Sequence, residues 1–357
     1  MTSGNEIQAA LDRKRESGGC VSLGTGTHTL TEPLVLDTPS TRLSGEVWAY
    51  NLDPNGVFET PFGTKLRLSG KDFPAIRIGK ARPPAGVMIT DLGIQGDIVG
   101  MDTRRLFTPQ DPSASAGLCF DAQRVDQGEF SKISCCGLAV AVSATEEAEL
   151  DACIFERVNM DGCCVGVYMR PRAAYYSHFR HCIVADTPAW GFYFDGTGRS
   201  SVYNVDITDT HFVRNCGSLP IKDEEAAAVL LKGAKSWIFR DNLVDSPGTY
   251  WHYSDHATRN EERQIFKADA VGLAVRGDKN RILGNIFLGC RNDAISVIGN
   301  ENILMNNVCS SDVVIEGEGN IVSALVFSSP EARLILRGAA RERTEIIGVD
   351  SARIVKA

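Results

Sequence analysis

VVIEGEGNI, residues 313–321, follows ISVIGNENI at 295–303, LAVRGDKNRI at 273–282 and VLLKGAKSWI at 229–238, and precedes LILRG at 334–338. Each stretch is a short apolar alternation, one variable residue and a glycine. In the four complete copies polar residues follow, and then isoleucine. The glycines are Gly233, Gly277, Gly299, Gly317 and Gly338, spaced by 44, 22, 18 and 21 residues. A second apolar run follows each of the first four turns: IFRDNLV, ILGNIFL, ILMNNVC and IVSALVF. Self-similarity at a period of about 20–25 residues, without helical periodicity, predicts a solenoid of stacked β-coils.

The pattern continues upstream. GLCFD (117–121), LAVAVS (138–143), CVGVYM (164–169) and WGFYFDG (190–196) each lead into a further strand-like run, which makes nine successive units. Alternate residues of a strand point to opposite faces. The expected inward set is Phe120, Val142, Tyr168, Phe194, Leu231, Val275, Val297, Ile315 and Leu336. Asn242, Asn285 and Asn307 recur before a hydrophobic residue, as an asparagine ladder at a turn requires, and are read as structural.

An exposed solenoid end needs a cap. SGNEIQAALDRKRE supplies one at the N-terminus: Ser3 and Glu6 have capping-box spacing, and Ile7 and Leu11 form an apolar stripe. The C-terminal TEIIGVDSARIVKA offers no such helix, so a partner chain is expected to cover that end, giving a homodimer or homotrimer. The whole chain, 1–357, reads as one all-β domain. It comprises a cap at 1–16, first coils at 17–97, regular coils at 117–338, an inserted loop at 249–270 and an end segment at 339–357.

With these residues on the page, IQAALDRKRESGGCVSLGTGTHTLTEPLVLDTPSTRLSGE (7–46) resembles the entry segment of pectin-lyase-like proteins, single-stranded right-handed parallel β-helices. In that superfamily a capping helix precedes a "GG-x-V-x-L-x-x-G" run. The resemblance implies the fold over nearly the whole chain and a substrate groove along one exposed parallel sheet. It implies a class of activities, since the superfamily holds polysaccharide lyases, glycoside hydrolases, fructan-cleaving transferases, epimerases and tailspikes. The polygalacturonase motifs N-T-D, G-H-G and R-I-K and the pectate-lyase W-x-D-H are not in this sequence, so no site residue is carried over by motif.

Composition narrows the field. Net charge is −8 over 357 residues, with no Lys/Arg-rich run, which argues against nucleic-acid binding. No stretch reaches the ~20 apolar residues of a membrane span. The polar N-terminus lacks the apolar core of a secretory signal, and the eleven cysteines sit largely in apolar runs without C-x-x-C. These features lead to the expectation of reduced, buried thiols and a cytoplasmic location. No cofactor or metal motif is read, and RGD at 276–278 falls at a turn of the repeat.

Three insertions precede first strands of coils: 98–116, 215–226 and TYWHYSDHATRNEERQIFKADA at 249–270. The last explains the 44-residue spacing, and it lacks the alternation of a coil. Long loops on a rigid scaffold are where function concentrates. The outward residues expected at the ends of first strands are Asp121, Ser143, Met169, Asp195, Lys232, Arg276, Ile298, Glu316 and Arg337. Asp195, Lys232 and Arg276 would form an acid–base column at a spacing of about 4.8 Å. Asp255 and Glu261 in the insertion add carboxyl groups suited to acid, base or nucleophile roles at a glycosidic bond. Tyr193, Trp251, His252, His256 and Asp121 are the expected substrate-binding residues, aromatic rings stacking on the apolar faces of sugars.

The resulting expectation is an enzyme cleaving an oligo- or polysaccharide. Elimination would use Lys232 and Arg276 on a uronate. Hydrolysis or internal transfer would use Asp195 with Asp255 or Glu261. The alternatives are a non-catalytic glycan-binding or structural β-helix of the tailspike kind, or a sugar epimerase.

Overall fold

A computed structural model describes residues 3–48, 63–79, 83–96, 107–108, 110–121, 123–199, 202–216, 224–252 and 264–357. The repeat glycines account for the coil. A Cβ on Gly277 would lie 2.1 Å from the carbonyl oxygen of Ala234, one on Gly299 2.0 Å from that of Gly277, and one on Gly317 2.1 Å from that of Gly299. Only glycine lets successive turns stack this closely. The recurring Gly is therefore a contact between neighbouring coils.

Each C-terminal coil is built from up to three short strands. One comprises Val271–Asp278, Arg281–Leu283 and Ile286–Leu288, and the next comprises Ile295–Ile298, Ile303–Met305 and Val308–Cys309. All stack in parallel. Val275 pairs with Val297, Val297 with Ile315 and Ile315 with Leu336. Among the described residues the strands form a sixteen-stranded and a twenty-stranded sheet. The sequence reading took the run after each turn as one strand. The structure breaks it where the chain turns a corner, at the asparagine in three of the four runs and at Leu325 in the last.

Those corners are held by the asparagines. Asn285 is fully buried. Its Nδ2 donates to the carbonyl of Phe239 and to Asn307 Oδ1, both at 2.9 Å, and its Oδ1 accepts from the amide of Asn242 at 2.9 Å. A second ladder, Asn280–Asn302–Asn320, was not anticipated, and it repeats this bonding at the previous corner. Inside the coil like stacks on like. Phe130, Phe155 and Phe179 stand in one column, with centroid separations of 4.9 and 4.3 Å.

The N-terminal end is closed by the helix Gly4–Asp12, whose capping box joins Ser3 and Glu6 in both directions. Ile7 and Leu11 are buried against the first coil. At the other end the strands Glu345–Ile347 and Ile354–Lys356 each pair, among the described residues, with one neighbour. The insertion after Gly248 departs from the coil. Thr249–His252 and Gln264–Lys267 form an antiparallel pair, while Ala227–Lys235 pairs directly with Val271–Asp278.

One inward assignment is corrected. Tyr168 faces outward, because the register pairs Val142 with Val167, Ser143 with Tyr168 and Tyr168 with Tyr193. Val167 and Met169 fill the interior instead. Alternation could not choose the phase, since both faces of Val165–Met169 are apolar and buried. The outer face here carries a second apolar cluster, with Phe107, Trp190 and Leu230 around the two tyrosines.

None of the eleven cysteines is in a disulfide, and only Cys20 is exposed. Hydrogen bonding from Ser22 lowers the pKa of Cys20, whereas burial pushes Cys119, Cys153 and Cys182 up to about 12. A chromogenic disulfide reagent applied to the native protein is expected to label Cys20 first, and the buried thiols only on unfolding. Simultaneous labelling of several thiols in the native state would contradict this packing.

Candidate functional site

The first strands of the coils carry one continuous outward row at their C-terminal ends. Asp195 pairs with Lys232, Lys232 with Arg276, Arg276 with Ile298 and Ile298 with Glu316. Upstream the expected row needs correcting. Met169 pairs with Phe194 and Ala144 with Phe120, so the residues in line with Asp195 are Arg170 and Thr145, not Met169 and Ser143. The coil before Asp195 therefore offers a guanidinium.

Three expected residues meet at one place. Lys232 Nζ lies 3.7 Å from Asp195 Oδ2. It also donates to both carboxylate oxygens of Glu224, at 3.0 and 3.2 Å. Tyr193 Oη donates to Glu224 Oε1 at 3.2 Å. Glu224 was not singled out from the sequence. It ends the 215–226 insertion, and its only signal was its position next to Glu225, just before the strand that bears Lys232. Trp190 fixes that segment, because its Nε1 donates to the Glu225 carbonyl at 3.0 Å.

The electrostatics separate these groups. Burial opposes the charge of Asp195, but the hydroxyl and amide of Thr197, then Lys232 and Arg170, outweigh it and hold the carboxyl below its ordinary range. The Thr197 amide donates to Asp195 Oδ1 at 3.0 Å. Tyr193 is shifted upward by burial and then by Glu224, so it remains a protonated donor. Asp195, Glu224 and Lys232 keep side-chain exposures of 17%, 19% and 28%, enough for a ligand to reach them.

Arg276 sits one coil further on but is fully engaged. It binds Glu225, with Nε to Oε2 at 3.0 Å, and donates to the carbonyls of Val275 and Ser296, both at 2.9 Å. Arg170 pairs with Glu146 at 3.1 Å, and Arg199 donates to the Arg170 carbonyl at 2.9 Å. Asp121 is removed from the cluster, three coils before Asp195, and pairs with Arg77 at 3.2 Å. Tyr193 points outward as expected but lies beneath the cover, so it meets Glu224 rather than solvent. Asp255, His256 and Glu261 lie outside the described residues. Trp251 and His252 are on the strand Thr249–His252.

The fold is a parallel β-helix, as the repeat predicts. Among solved structures the chain is similar to DFA-IIIase from Arthrobacter chlorophenolicus A6 without its lid, with a TM-score of 0.63 and 14% identity over 99% of this chain and 92% of that one. The same enzyme in complex with GF2 gives a TM-score of 0.63 at 14% identity, covering 99% and 91%. ORF18 of Geobacillus virus E2 gives 0.50 at 14% identity, covering 98% of this chain and 56% of that one. At these identities the likeness is one of fold. No family model and no curated protein matches the chain.

Proposed function

We propose that this protein is a carbohydrate-active enzyme that cleaves a glycosidic bond by hydrolysis or internal transfer, with Asp195 and Glu224 as its two carboxyl groups. The observation that carries this reading is their convergence on the Lys232 ammonium, beside the Tyr193 hydroxyl. Paired carboxyl groups are the usual means of cleaving such a bond, one protonating the leaving oxygen while the other serves as nucleophile or base. Asp195, held ionised, suits the second role. Lys232 holds both carboxyls together on the outward row.

Elimination from a uronate is the weaker reading. It needs a free cation to neutralise the substrate carboxylate and a free base. Arg276 is taken by Glu225 and Ser296, and Lys232 by Glu224 and Asp195. The similarly folded DFA-IIIase has been solved with GF2 and with DFA-III, which supports an oligosaccharide as the ligand class here. Eleven free thiols support a reducing compartment.

The test is mass spectrometry of products from neutral glucans, fructans and uronate glycans incubated with the protein. Fragments with an added water, or an anhydro-sugar fragment together with the shortened chain from internal transfer on a neutral glycan, are expected. Unsaturated uronate fragments, or no product from any glycan, would overturn the reading.

A further inference from the structure

Outside this cluster, the coils carry a second outward row on the short strands that follow the first turn. Asp126 pairs with Asp151, Asp151 with Tyr175, Tyr175 with Tyr203 and Tyr203 with Lys235. The Tyr175 and Tyr203 rings are stacked at 5.8 Å with 22° between planes. Tyr176 stands edge-on to both, at 6.1 and 5.9 Å. Among the described residues none of the three phenol hydroxyls has a hydrogen-bond partner within the protein.

Tyr176 is an unusual choice for its position. The residue after each strand of this row turns the corner in the left-handed region: Gln127, Ala152, Tyr176, Asn204, Ser236 and Lys279 have φ between 52° and 60°. Five corners are filled by polar or small residues. Tyr176 bears the left-handed strain that any side chain bears at such a corner, and its ring is the bulkiest of the six. It is also 50% exposed, so little packing offsets that strain. A turn alone would be served better by asparagine or glycine.

We propose that Tyr175, Tyr176 and Tyr203 form a platform that binds a neutral saccharide. Stacked rings offer an apolar face to the C–H groups of a sugar, and the hydroxyls and nearby carboxylates offer partners for its OH groups. Neutral sugars are favoured because the arginines at the rim are already compensated. Arg124, its Cζ 6.0 Å from the Tyr175 ring centroid, pairs with Asp151 and lies 3.6 Å from Asp126. Arg172 pairs with Glu149 at 2.5 Å. Lys235, at the end of the row, faces Asp278 in the register.

The platform adjoins the carboxylate cluster. Lys232 and Lys235 share the strand Ala227–Lys235 and flank a register shift at its bend, so the two rows lie no more than about 10 Å apart along the chain. A saccharide chain lying across the turn at Thr197 would reach both. The ligand class rests on the carbohydrate reading of that cluster, but binding at the platform does not require turnover there.

The experiment is isothermal titration of the full chain with neutral gluco-, manno-, galacto- and fructo-oligosaccharides and an oligogalacturonate, for the unchanged protein and for Tyr176→Gly, Tyr203→Ala and Asp195→Asn. Glycine relaxes the left-handed corner, so Tyr176→Gly keeps the fold. At least one neutral oligosaccharide is expected to bind, with affinity falling about tenfold in Tyr176→Gly, the scale of one lost aromatic contact. Tyr203→Ala is expected to lose a similar factor; Asp195→Asn serves only to suppress turnover during the titration. Binding that depends on Tyr176 without any product would sink the catalytic reading and leave the platform standing. Product formation with affinity unaltered in Tyr176→Gly would overturn the platform alone. Binding of the oligogalacturonate only, or a Tyr176-dependent change in oligomeric mass without glycan binding, would overturn it as well.

Discussion

Asp195→Asn is expected to lower turnover of the cleaved glycan by about a thousandfold, within the range measured for groups that act directly in proton transfer or nucleophilic attack. Glu224→Gln should cost a similar factor. The double variant should lose little more than either alone, because residues acting as one unit are not additive. The amide is nearly isosteric with the carboxyl and keeps an oxygen for the Thr197 amide, so the fold is retained and thermal unfolding serves as the control. Loss of activity together with a large drop in melting temperature would identify a structural ion pair instead. Undiminished turnover in both variants would remove the cluster from the mechanism.

The pH dependence follows from the same contacts. Asp195 has a folded-state pKa below its ordinary value of 3.8. Its ionisation therefore contributes stability that is fully present above about the ordinary value. That contribution is lost as pH falls through the lowered one. The acid limb of activity that reports Asp195 should accordingly lie below the ordinary carboxylate range. It should move upward when Thr197 is replaced by alanine, which removes the hydroxyl among the groups that lower it.

Asn285→Ala is expected to destabilise the protein by about 3–5 kcal/mol, measured by denaturant unfolding. The side chain is fully buried and makes four hydrogen bonds along the corner. Its removal strands the Asn242 amide, takes the side-chain partner from the Phe239 carbonyl, and takes one of two partners from Asn242 Nδ2 and from Asn307 Oδ1. Each buried polar group left unpaired costs about 1–3 kcal/mol. Leu283 and Met305, partly exposed on the same corner, provide the contrast: either one changed to alanine should cost well under half as much. Equal losses at Asn285 and Met305 would mean that the ladder is incidental to stability. Stability in a solenoid is nearly a sum over neighbouring coils, so the loss should appear first as local exchange of the amides around 239–242 and 282–285.

Much of this architecture was legible in the residues. The glycine period and the asparagine recurrence reported the coil because both are contacts between successive turns, and identical geometry selects identical residues. Asp195, Lys232 and Arg276 were legible as a row for the same reason. Parallel stacking converts a period along the chain into a column in space. Where the period blurs, the reading slipped. Around 138–170 both faces of the strands are apolar, so nothing in the alternation separates core from outer face, and Arg170 went unnoticed beside Asp195.

By itself the sequence determined the solenoid and the edge along which charges stack, since both follow from nearest-neighbour repetition. It also determined the N-terminal cap, which follows from local helix signals at Ser3, Glu6, Ile7 and Leu11. Only the tertiary structure decided which charges were available. Glu224 and Glu225 come from an insertion outside the repeat, and no period predicts where an insertion folds back. The fixing of that segment by Trp190 set one carboxylate on Lys232 and closed the other onto Arg276. Tyr175, Tyr176 and Tyr203 were gathered differently, two of the rings by the stacking of adjacent coils and the third by a corner whose backbone turns it outward.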